Sequence, residues 1–281
     1  MVRCVWRAHA VLGECPSWDE ARQRLDFVDL ARGELLAYCP AKGTGTRIRL
    51  ATDLGFLASD DNGHRLCGSG LEVWSLHESD APLQRVATVP GDPLQLRLND
   101  AALDRNGILW TGTMDRRGMS PIGGIFQCHG DGRVVQWDDG YTIPNGFAIS
   151  RGHDRIYVAD SPRGIVYSYD LNDAGVTQGK RVWLQIEAGQ GVPDGMAMDC
   201  EDHLWIALHG GGCVRRYRPD ATLVREIRLP ARNVTACAFG GERRDALYVT
   251  TAEDRSATAR WQRLWRTRGG HLYVLDPGVR G

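Results

Sequence analysis

The sequence predicts an all-β protein, a six-bladed β-propeller with a metal site at one end of its central channel. Three observations support this fold. A short strand pattern recurs six times at intervals of 41, 43, 47, 48 and 43 residues. Each copy is followed by a turn with Gly or Asp and then by a second alternating strand. No stretch has the period and capping of a long amphipathic helix. Periods of about 40–50 residues made of short strands are typical of propellers, with about four strands per blade.

The recurring pattern is an aliphatic residue followed by an aromatic or apolar one. Its copies are anchored at Leu25, Leu66, Leu109, Ile156, Leu204 and Leu247. Residues 33–38, 124–127 and 164–169 are examples of the alternating strand that follows. A pair of packed sheets would not produce six evenly spaced copies. Residues 1–281 are therefore predicted to form one propeller domain. The segment 2–10 is expected to join the last blade and close the ring, which removes exposed sheet edges.

Composition limits the partners and the compartment. The 281 residues include 34 basic and 35 acidic side chains, so no net charge favours nucleic acid or anionic lipid. No apolar run approaches the roughly 20 residues of a membrane helix, and the first residues do not resemble a signal peptide. The eight cysteines lack a Cys-x-x-Cys pair and are interpreted as small buried hydrophobes in a reducing compartment. We expect a cytoplasmic protein, with a monomer as the default.

Polar residues recur at one position of the repeat. In a propeller the innermost strand of each blade runs along the channel, and ten or eleven residues before the anchors lie Glu14, Asn99, Asn145 and Asp194. The other two blades have small or apolar residues there, at 55–56 and 236–237. Four oxygen-bearing side chains at one channel end form either a solvated loop rim or a site for one divalent cation. Such oxygens suit Ca²⁺, Mg²⁺ or Mn²⁺, and carboxylates also bind Zn²⁺ and Fe²⁺.

A simpler interpretation applies to two of these positions. Pro144-Asn145-Gly146 and Pro193-Asp194-Gly195 are also favourable turn sequences, because Pro fixes φ and Gly accepts positive φ. The recurrence at equivalent repeat positions favours the metal site over independent turns.

Three other motifs predict structure rather than chemistry. The segment His209-Gly210-Gly211-Gly212 looks like a lipase oxyanion loop, but no Gly-x-Ser-x-Gly sequence accompanies it, so it is interpreted as a turn. Asp104-Arg105-Asn106-Gly107 lacks the rest of a calcium loop and is interpreted as a hairpin turn. The basic segment 255–268 is either a binding surface or an irregular loop before a closing strand at 270–275, and the loop is favoured.

Several motifs together resemble the gluconolactonase/regucalcin family over nearly the whole chain. In order, they are Leu12-Gly13-Glu14-Cys15-Pro16-Ser17-Trp18, Arg97-Leu98-Asn99-Asp100, Gly112-Thr113-Met114, Ile143-Pro144-Asn145-Gly146, Val192-Pro193-Asp194-Gly195-Met196 and Cys237-Ala238-Phe239-Gly240-Gly241.

The resemblance implies both an activity and a set of site residues. It implies hydrolysis of sugar-acid lactones, such as glucono-, xylono- or arabinolactone, and one divalent cation held by Glu14, Asn145 and Asp194. By the same resemblance, Arg97 and Asn99 hold the sugar hydroxyls. After the Gly-Thr-Met motif, mammalian members have an acidic residue that contacts the substrate. In an alignment without gaps, Arg117 occupies that position in this chain. This departure resembles bacterial members of the family that act on aldonolactones.

Opening a lactone requires a polarised carbonyl and an attacking water, and a divalent cation assists both. We expect Asp194 to be the general base as well as a metal ligand, because it could take a proton from the water. Arg97 would orient hydroxyls or the new carboxylate through its planar set of donors. The alternative is a non-catalytic, metal-binding regulatory or scaffold propeller, because a fold does not by itself determine activity.

Overall fold

The computed structural model contains six four-stranded antiparallel sheets, which confirms the six-bladed propeller. It describes residues 1–50, 53–60, 63–76, 84–172, 177–254 and 269–281. The first three sheets are β2 (Gly13–Asp19), β3 (Arg24–Asp29), β4 (Glu34–Cys39) and β5 (Thr44–Arg49); β6 (Leu54–Ser59), β7 (Arg65–Ser69), β8 (Glu72–Leu76) and β9 (Gln84–Thr88); and β10 (Leu96–Leu103), β11 (Leu109–Asp115), β12 (Gly123–Cys128) and β13 (Val134–Tyr141).

The next two sheets are β14 (Pro144–Ile149), β15 (Arg155–Asp160), β16 (Ile165–Leu171) and β17 (Thr177–Gln185), and β18 (Val192–Met198), β19 (Leu204–His209), β20 (Cys213–Tyr217) and β21 (Leu223–Arg228). The sixth is β22 (Val234–Gly240), β23 (Ala246–Thr251), β24 (Leu272–Leu275) and β1 (Arg3–Trp6). In the described part of the chain the one helical element is a 3-10 turn at Ser161–Arg163, and no helix there could cross a membrane.

The first strands of neighbouring sheets contact each other in a complete ring, from β2 through β6, β10, β14 and β18 to β22 and back to β2. They are therefore the innermost strands, and the sequence anchors lie in the second strand of each blade. The core is divided among the six interfaces between blades, each of which holds one cluster of buried apolar side chains. Burial of these side chains between neighbouring blades is the main force that holds the ring together.

The turn expected at Asp104 is present and has an equivalent two blades later. The Asp104 carboxylate accepts hydrogen bonds from the backbone N–H groups of Asn106 and Ile108 and from the indole of Trp110. The Asp199 carboxylate likewise accepts from two turn N–H groups and from the indole of Trp205. These side-chain bonds satisfy the turn N–H groups and fix the tryptophans that recur in the sequence pattern.

The interpretation of the cysteines is only partly correct. Among the eight thiols, which are all free, four are buried, at Cys67, Cys128, Cys213 and Cys237. Cys4 is exposed because it lies in β1, the outermost strand of its sheet, and Cys200 is exposed because it lies in the turn between β18 and β19. The basic segment 255–268 lies outside the described residues.

The predicted ring closure is confirmed, and Trp6 makes aromatic contacts across it. Strand β1 pairs with β24 as the outermost strand of the sixth blade. From there the Trp6 ring reaches the first blade, 5.6 Å edge-on from Phe27 and 6.3 Å stacked on Tyr38, measured between ring centroids. At Gly45 an added Cβ would lie 2.4 Å from the Trp6 ring, so only glycine leaves room for it.

We expect Trp6→Ala to lower the free energy of unfolding by about 3 kcal/mol, because it removes an aromatic contact between the two blades at the closure. Urea unfolding followed by tryptophan fluorescence and circular dichroism would measure this. The exposed Ile48 of β5 is the control, and Ile48→Ala should change stability by less than about 0.5 kcal/mol. Equal effects of the two substitutions would contradict the role of Trp6.

Candidate functional site

Every innermost strand contains a register shift near its beginning. The shift falls at Glu14/Ser17, Leu54/Phe56, Asn99/Ala101, Asn145/Ala148, Pro193/Met196 and Val234/Ala236. Such bulges leave residues unpaired and re-aim their side chains. In three blades the residue after the polar position has positive φ, at Cys15, Asp100 and Gly146. The polar residues found by the repeat therefore lie at bulges next to the channel.

The two Pro-x-Gly sequences are not turns, so the simpler interpretation of them is wrong. Both lie within innermost strands, at the start of β14 and β18. An innermost strand has a free edge, so a proline without an N–H is tolerated there. An added Cβ at Gly146 would lie 2.3 Å from the Asp194 carbonyl oxygen, and one at Gly195 would lie 2.3 Å from the Ala236 Cβ. Glycine thus permits the inner strands to approach closely beside the site.

All five site residues predicted from the sequence line one cavity at this end of the channel. Glu14, Arg97, Asn99, Asn145 and Asp194 surround a volume of about 240 Å³. Apolar side chains complete its wall, namely Leu12, Leu30, Met114, Ile143 and Val192. A small, concave site with a few convergent polar groups is typical of a site for a small molecule.

Two asparagines in the cavity are oriented by hydrogen bonds between blades. Asn99 Nδ2 donates to the Pro144 carbonyl oxygen at 3.0 Å and to Asn145 Oδ1 at 2.8 Å. Asn145 Nδ2 donates to Ser161 Oγ at 3.0 Å, and the Ser161 hydroxyl donates to the Pro193 carbonyl oxygen at 2.6 Å. The network joins three neighbouring blades at their bulges.

Two carboxylates in the cavity are strongly perturbed. Burial, followed by the negative charges of Asp194 and Asp100, raises the pKa of Glu14 well above its usual range. Burial and the charge of Asp100 do the same to the pKa of Asp194. Asp194 Oδ1 is buried and has no hydrogen-bond partner within the described part of the protein. Buried like charges of this kind are unfavourable unless a cation or a proton compensates them.

Asp100, a residue that the repeat offset does not select, also lines the cavity. Its Oδ2 accepts from the Gly146 N–H at 2.6 Å, and its Oδ1 accepts from the Ala101 N–H at 2.8 Å. Burial raises the pKa of this carboxyl, although both N–H groups oppose the shift. Asp100 lines the site cavity and also a second cavity of about 280 Å³ toward the other end of the channel. A position adjacent to Asn99 in the same bulge is the signal that could have identified it.

The cavity offers a donor set for a hard divalent cation. Among the described residues, no three His, Cys, Asp or Glu side chains come together as a metal cluster. The candidate ligands are instead two carboxylates, Glu14 and Asp194, and the amide oxygen of Asn145. Oxygen donors of this kind suit Ca²⁺, Mg²⁺ and Mn²⁺. The observation that best fits a missing positive charge is that Asp194 Oδ1 has no hydrogen-bond partner among the residues that the structure describes.

Two arginines near the site differ in their placement. Arg97 is partly buried in the cavity wall, where burial lowers its pKa while the nearby charges of Asp53 and Glu14 oppose that shift. Arg117 is exposed and does not line the cavity. The structure therefore gives no support for a substrate contact at Arg117. The adjacent Arg116 forms an ion pair with Asp53, with 2.6 Å between Nη2 and Oδ2.

His209 also lines the cavity, although its glycine-rich segment was interpreted only as a turn. The turn is present between β19 and β20, with the Gly211 N–H bonded to the Leu208 carbonyl oxygen. Burial and then the charge of Arg232 lower the pKa of His209, which favours the neutral imidazole. His209 is the last residue of a second strand, so the repeat offset used for the innermost strands could not find it.

The fold and the cavity define a propeller with an oxygen-rich cavity at one end of its channel. The chain belongs to the SMP-30/Gluconolactonase/LRE-like family, which matches residues 12–253. It is 31% identical to a 6-deoxy-6-sulfogluconolactonase of Pseudomonas putida, over 91% of this chain and 89% of that protein. It is 32% identical to a pentonolactonase of Haloferax volcanii, over 96% of this chain and 92% of that protein. A crystal structure of the calcium-binding protein regucalcin from Agrobacterium tumefaciens superposes with a TM-score of 0.91 at 25% identity, over 100% of this chain and 94% of that one.

The raised carboxyl pKa values predict how the stability of the metal-free protein depends on pH. The folded protein keeps protons on Glu14 and Asp194 at pH values where the unfolded chain has lost them. The free energy of unfolding should therefore fall as the pH rises from about 4 toward neutral. Asp194→Asn should raise the melting temperature in EDTA at pH 7, by about 2–4 °C for each kcal/mol gained. The difference in melting temperature between Asp194→Asn and the wild type should shrink near pH 4, where the unfolded chain also keeps much of its carboxyl protons.

Differential scanning fluorimetry at both pH values would measure the shift. Glu242→Gln, which removes an exposed carboxylate elsewhere, should leave the melting temperature nearly unchanged. A lower melting temperature for Asp194→Asn at pH 7, or the same difference at both pH values, would contradict the electrostatic explanation.

Proposed function

We propose that this protein is a metal-dependent lactonase that opens aldono-1,4- or 1,5-lactones to the free sugar acids in carbohydrate catabolism. The observation that carries the proposal is the convergence of Glu14, Arg97, Asn99, Asn145 and Asp194 in one small cavity. Family membership supports lactone hydrolysis, since similar proteins are named 6-deoxy-6-sulfogluconolactonase and pentonolactonase. The cavity volume, about 240 Å³, is slightly below the range typical of pockets for drug-sized ligands, which favours a smaller ligand such as a monosaccharide.

In this proposal Glu14, Asn145 and Asp194 hold one divalent cation: Ca²⁺, Zn²⁺, Mn²⁺, Fe²⁺ or Mg²⁺. When bound, such a cation supplies Lewis-acid stabilisation of the charge that develops on the lactone carbonyl oxygen. The two carboxylates balance its charge, and Asn145 adds a neutral oxygen. The crystal structure of the calcium-binding protein regucalcin from Agrobacterium tumefaciens is consistent with a divalent ion in this fold.

The remaining chemistry belongs to side chains of the cavity. Asp194 lines the cavity beside the other proposed ligands, so in this proposal its carboxylate also accepts a proton from the attacking water. The water oxygen forms a bond to the carbonyl carbon, the bond from that carbon to the ring oxygen breaks, and Asp194 returns the proton to the ring oxygen. Arg97 orients substrate hydroxyls through its planar donors, and Asn99 lies where it can contact the same groups.

The proposal also covers domain organisation, location and partners. Residues 1–281 form a single domain, and the protein is a cytoplasmic monomer that acts on a small molecule. Balanced charge supports the absence of nucleic-acid and membrane partners, and free thiols at all eight cysteines support a reducing compartment.

Asp194→Ala and Asn145→Ala should each reduce lactone opening by about 10²-fold or more, because each removes a ligand and Asp194→Ala also removes the base. A pH-indicator assay over a panel of aldonolactones, with EDTA or with Mn²⁺, Zn²⁺, Fe²⁺ or Ca²⁺, would measure it, and circular dichroism would check folding. Wild-type turnover by either folded variant would contradict the site. Cation binding by the wild type without hydrolysis of any lactone would instead favour the regulatory propeller.

Arg97→Ala should lower kcat/KM for aldonolactones about 10–100-fold, because hydrogen bonds to a charged donor are lost. It should affect an unsubstituted lactone much less, because that substrate has no hydroxyls for Arg97 to bind. Arg117→Ala is the matched control, since Arg117 is exposed and lies outside the cavity wall. Equal losses on both substrates would rule out the hydroxyl-binding role.

A further inference from the structure

Ser161 is a buried residue of the site wall that the proposed chemistry does not use. It begins the 3-10 turn after β15 and is 5% exposed. Its backbone N–H donates to the Ile143 carbonyl oxygen at 3.1 Å, so its main chain is tied to the segment that leads into β14. Its side chain bonds to residues of both β14 and β18, the strands that carry Asn145 and Asp194.

The direction of each bond at Ser161 is determined by chemistry. A carbonyl oxygen can only accept, so the single hydroxyl proton of Ser161 is used by the Pro193 carbonyl oxygen. Ser161 Oγ can then only accept from Asn145, and the atom that faces it must be Nδ2. The Asn145 Oδ1 atom is consequently turned away from Ser161.

The hydrogen bonds of Asn99 lead independently to the same orientation of the Asn145 side-chain amide. Asn99 faces the Pro144 carbonyl oxygen at 3.0 Å, so that atom of Asn99 must be Nδ2. The same Nδ2 lies 2.8 Å from Asn145, which must therefore present an acceptor, Oδ1. A flipped Asn145 amide would place two donors opposite each other at Asn99 and two acceptors opposite each other at Ser161.

We infer that Ser161 is a positioning residue that fixes the carboxamide of Asn145 with its oxygen on the side available to a cation. The inference rests on the proposed cation site. Without the hydroxyl, the bond from Asn99 is the one hydrogen bond left to orient this amide among the described residues, and the Pro193 carbonyl oxygen loses the Ser161 hydroxyl as a donor. Residues that orient a metal ligand in this way typically affect metal affinity about 10–100-fold when removed.

Calorimetric titration of Ca²⁺, and separately of Mn²⁺, into the full chain tests the inference. Ser161→Ala should weaken binding about 10–100-fold. Ser168→Ala is the matched control, because Ser168 is buried in the same blade and its hydroxyl has no partner in the described part of the chain. It should bind within about twofold of the wild type.

Asn145→Asp distinguishes positioning from general support of the fold. A carboxylate has two equivalent oxygens and needs no particular orientation to present one of them. In the Asn145→Asp background, Ser161→Ala should therefore change affinity by less than about threefold. An equal loss in both backgrounds, or wild-type affinity in the single variant Ser161→Ala, would overturn the inference.

A metal-free measurement gives a second test. Hydrogen exchange of the Asn145 side-chain amide, followed by ¹⁵N NMR in EDTA, should be faster in Ser161→Ala than in the wild type or Ser168→Ala. Unchanged exchange would overturn the inference. A wild-type chain that binds cations but hydrolyses no lactone would defeat the proposed function and leave the positioning role intact. One that binds neither cation would overturn the cation site and this inference with it.

Discussion

The bulge near the beginning of every innermost strand is the constraint on which the candidate site depends. A regular strand would alternate its side chains between two faces that are both occupied by neighbouring blades. At the bulge the backbone departs from that alternation, with positive φ at Cys15, Asp100 and Gly146. Side chains next to it are directed at the channel rather than into a blade interface. Glycines after Asn145 and Asp194 then allow adjacent inner strands to come close enough for these side chains to share one cavity.

Bringing the side chains together creates an electrostatic problem that the fold only partly solves. Asp194 is buried and Glu14 and Asp100 are partly buried beside it, and removal from water is the largest cause of the raised pKa of each carboxyl. Backbone N–H groups stabilise Asp100. Arg97 is the basic side chain that lowers the pKa of Glu14. A divalent cation would balance the remaining charge. In its absence the neighbouring carboxylates lower the stability of the folded protein, a cost that is common at functional sites.

Much of the fold and part of the site could be predicted because each blade repeats the same four-stranded unit, with similar spacing between its first two strands. An offset of ten or eleven residues from the anchor in the second strand therefore finds Glu14, Asn99, Asn145 and Asp194 in the innermost strands. The offset cannot distinguish a bulge from a turn, because Pro-Asn-Gly suits both. It selects one residue per blade, so it misses Asp100. Ser161 follows the second strand of its blade and His209 ends one, and their approach to the cavity depends on contacts between blades that no single repeat contains.

The central claim is that the bulged inner strands bring Glu14, Asn145 and Asp194 together around one divalent cation. Anomalous diffraction from crystals grown with Mn²⁺ tests it most directly, because the signal locates the metal independently of any assumed ligand. We predict one strong peak in the channel cavity, within ligand distance of oxygens from these three side chains. A peak elsewhere in the channel, or no peak at these residues at saturating Mn²⁺, would contradict the claim.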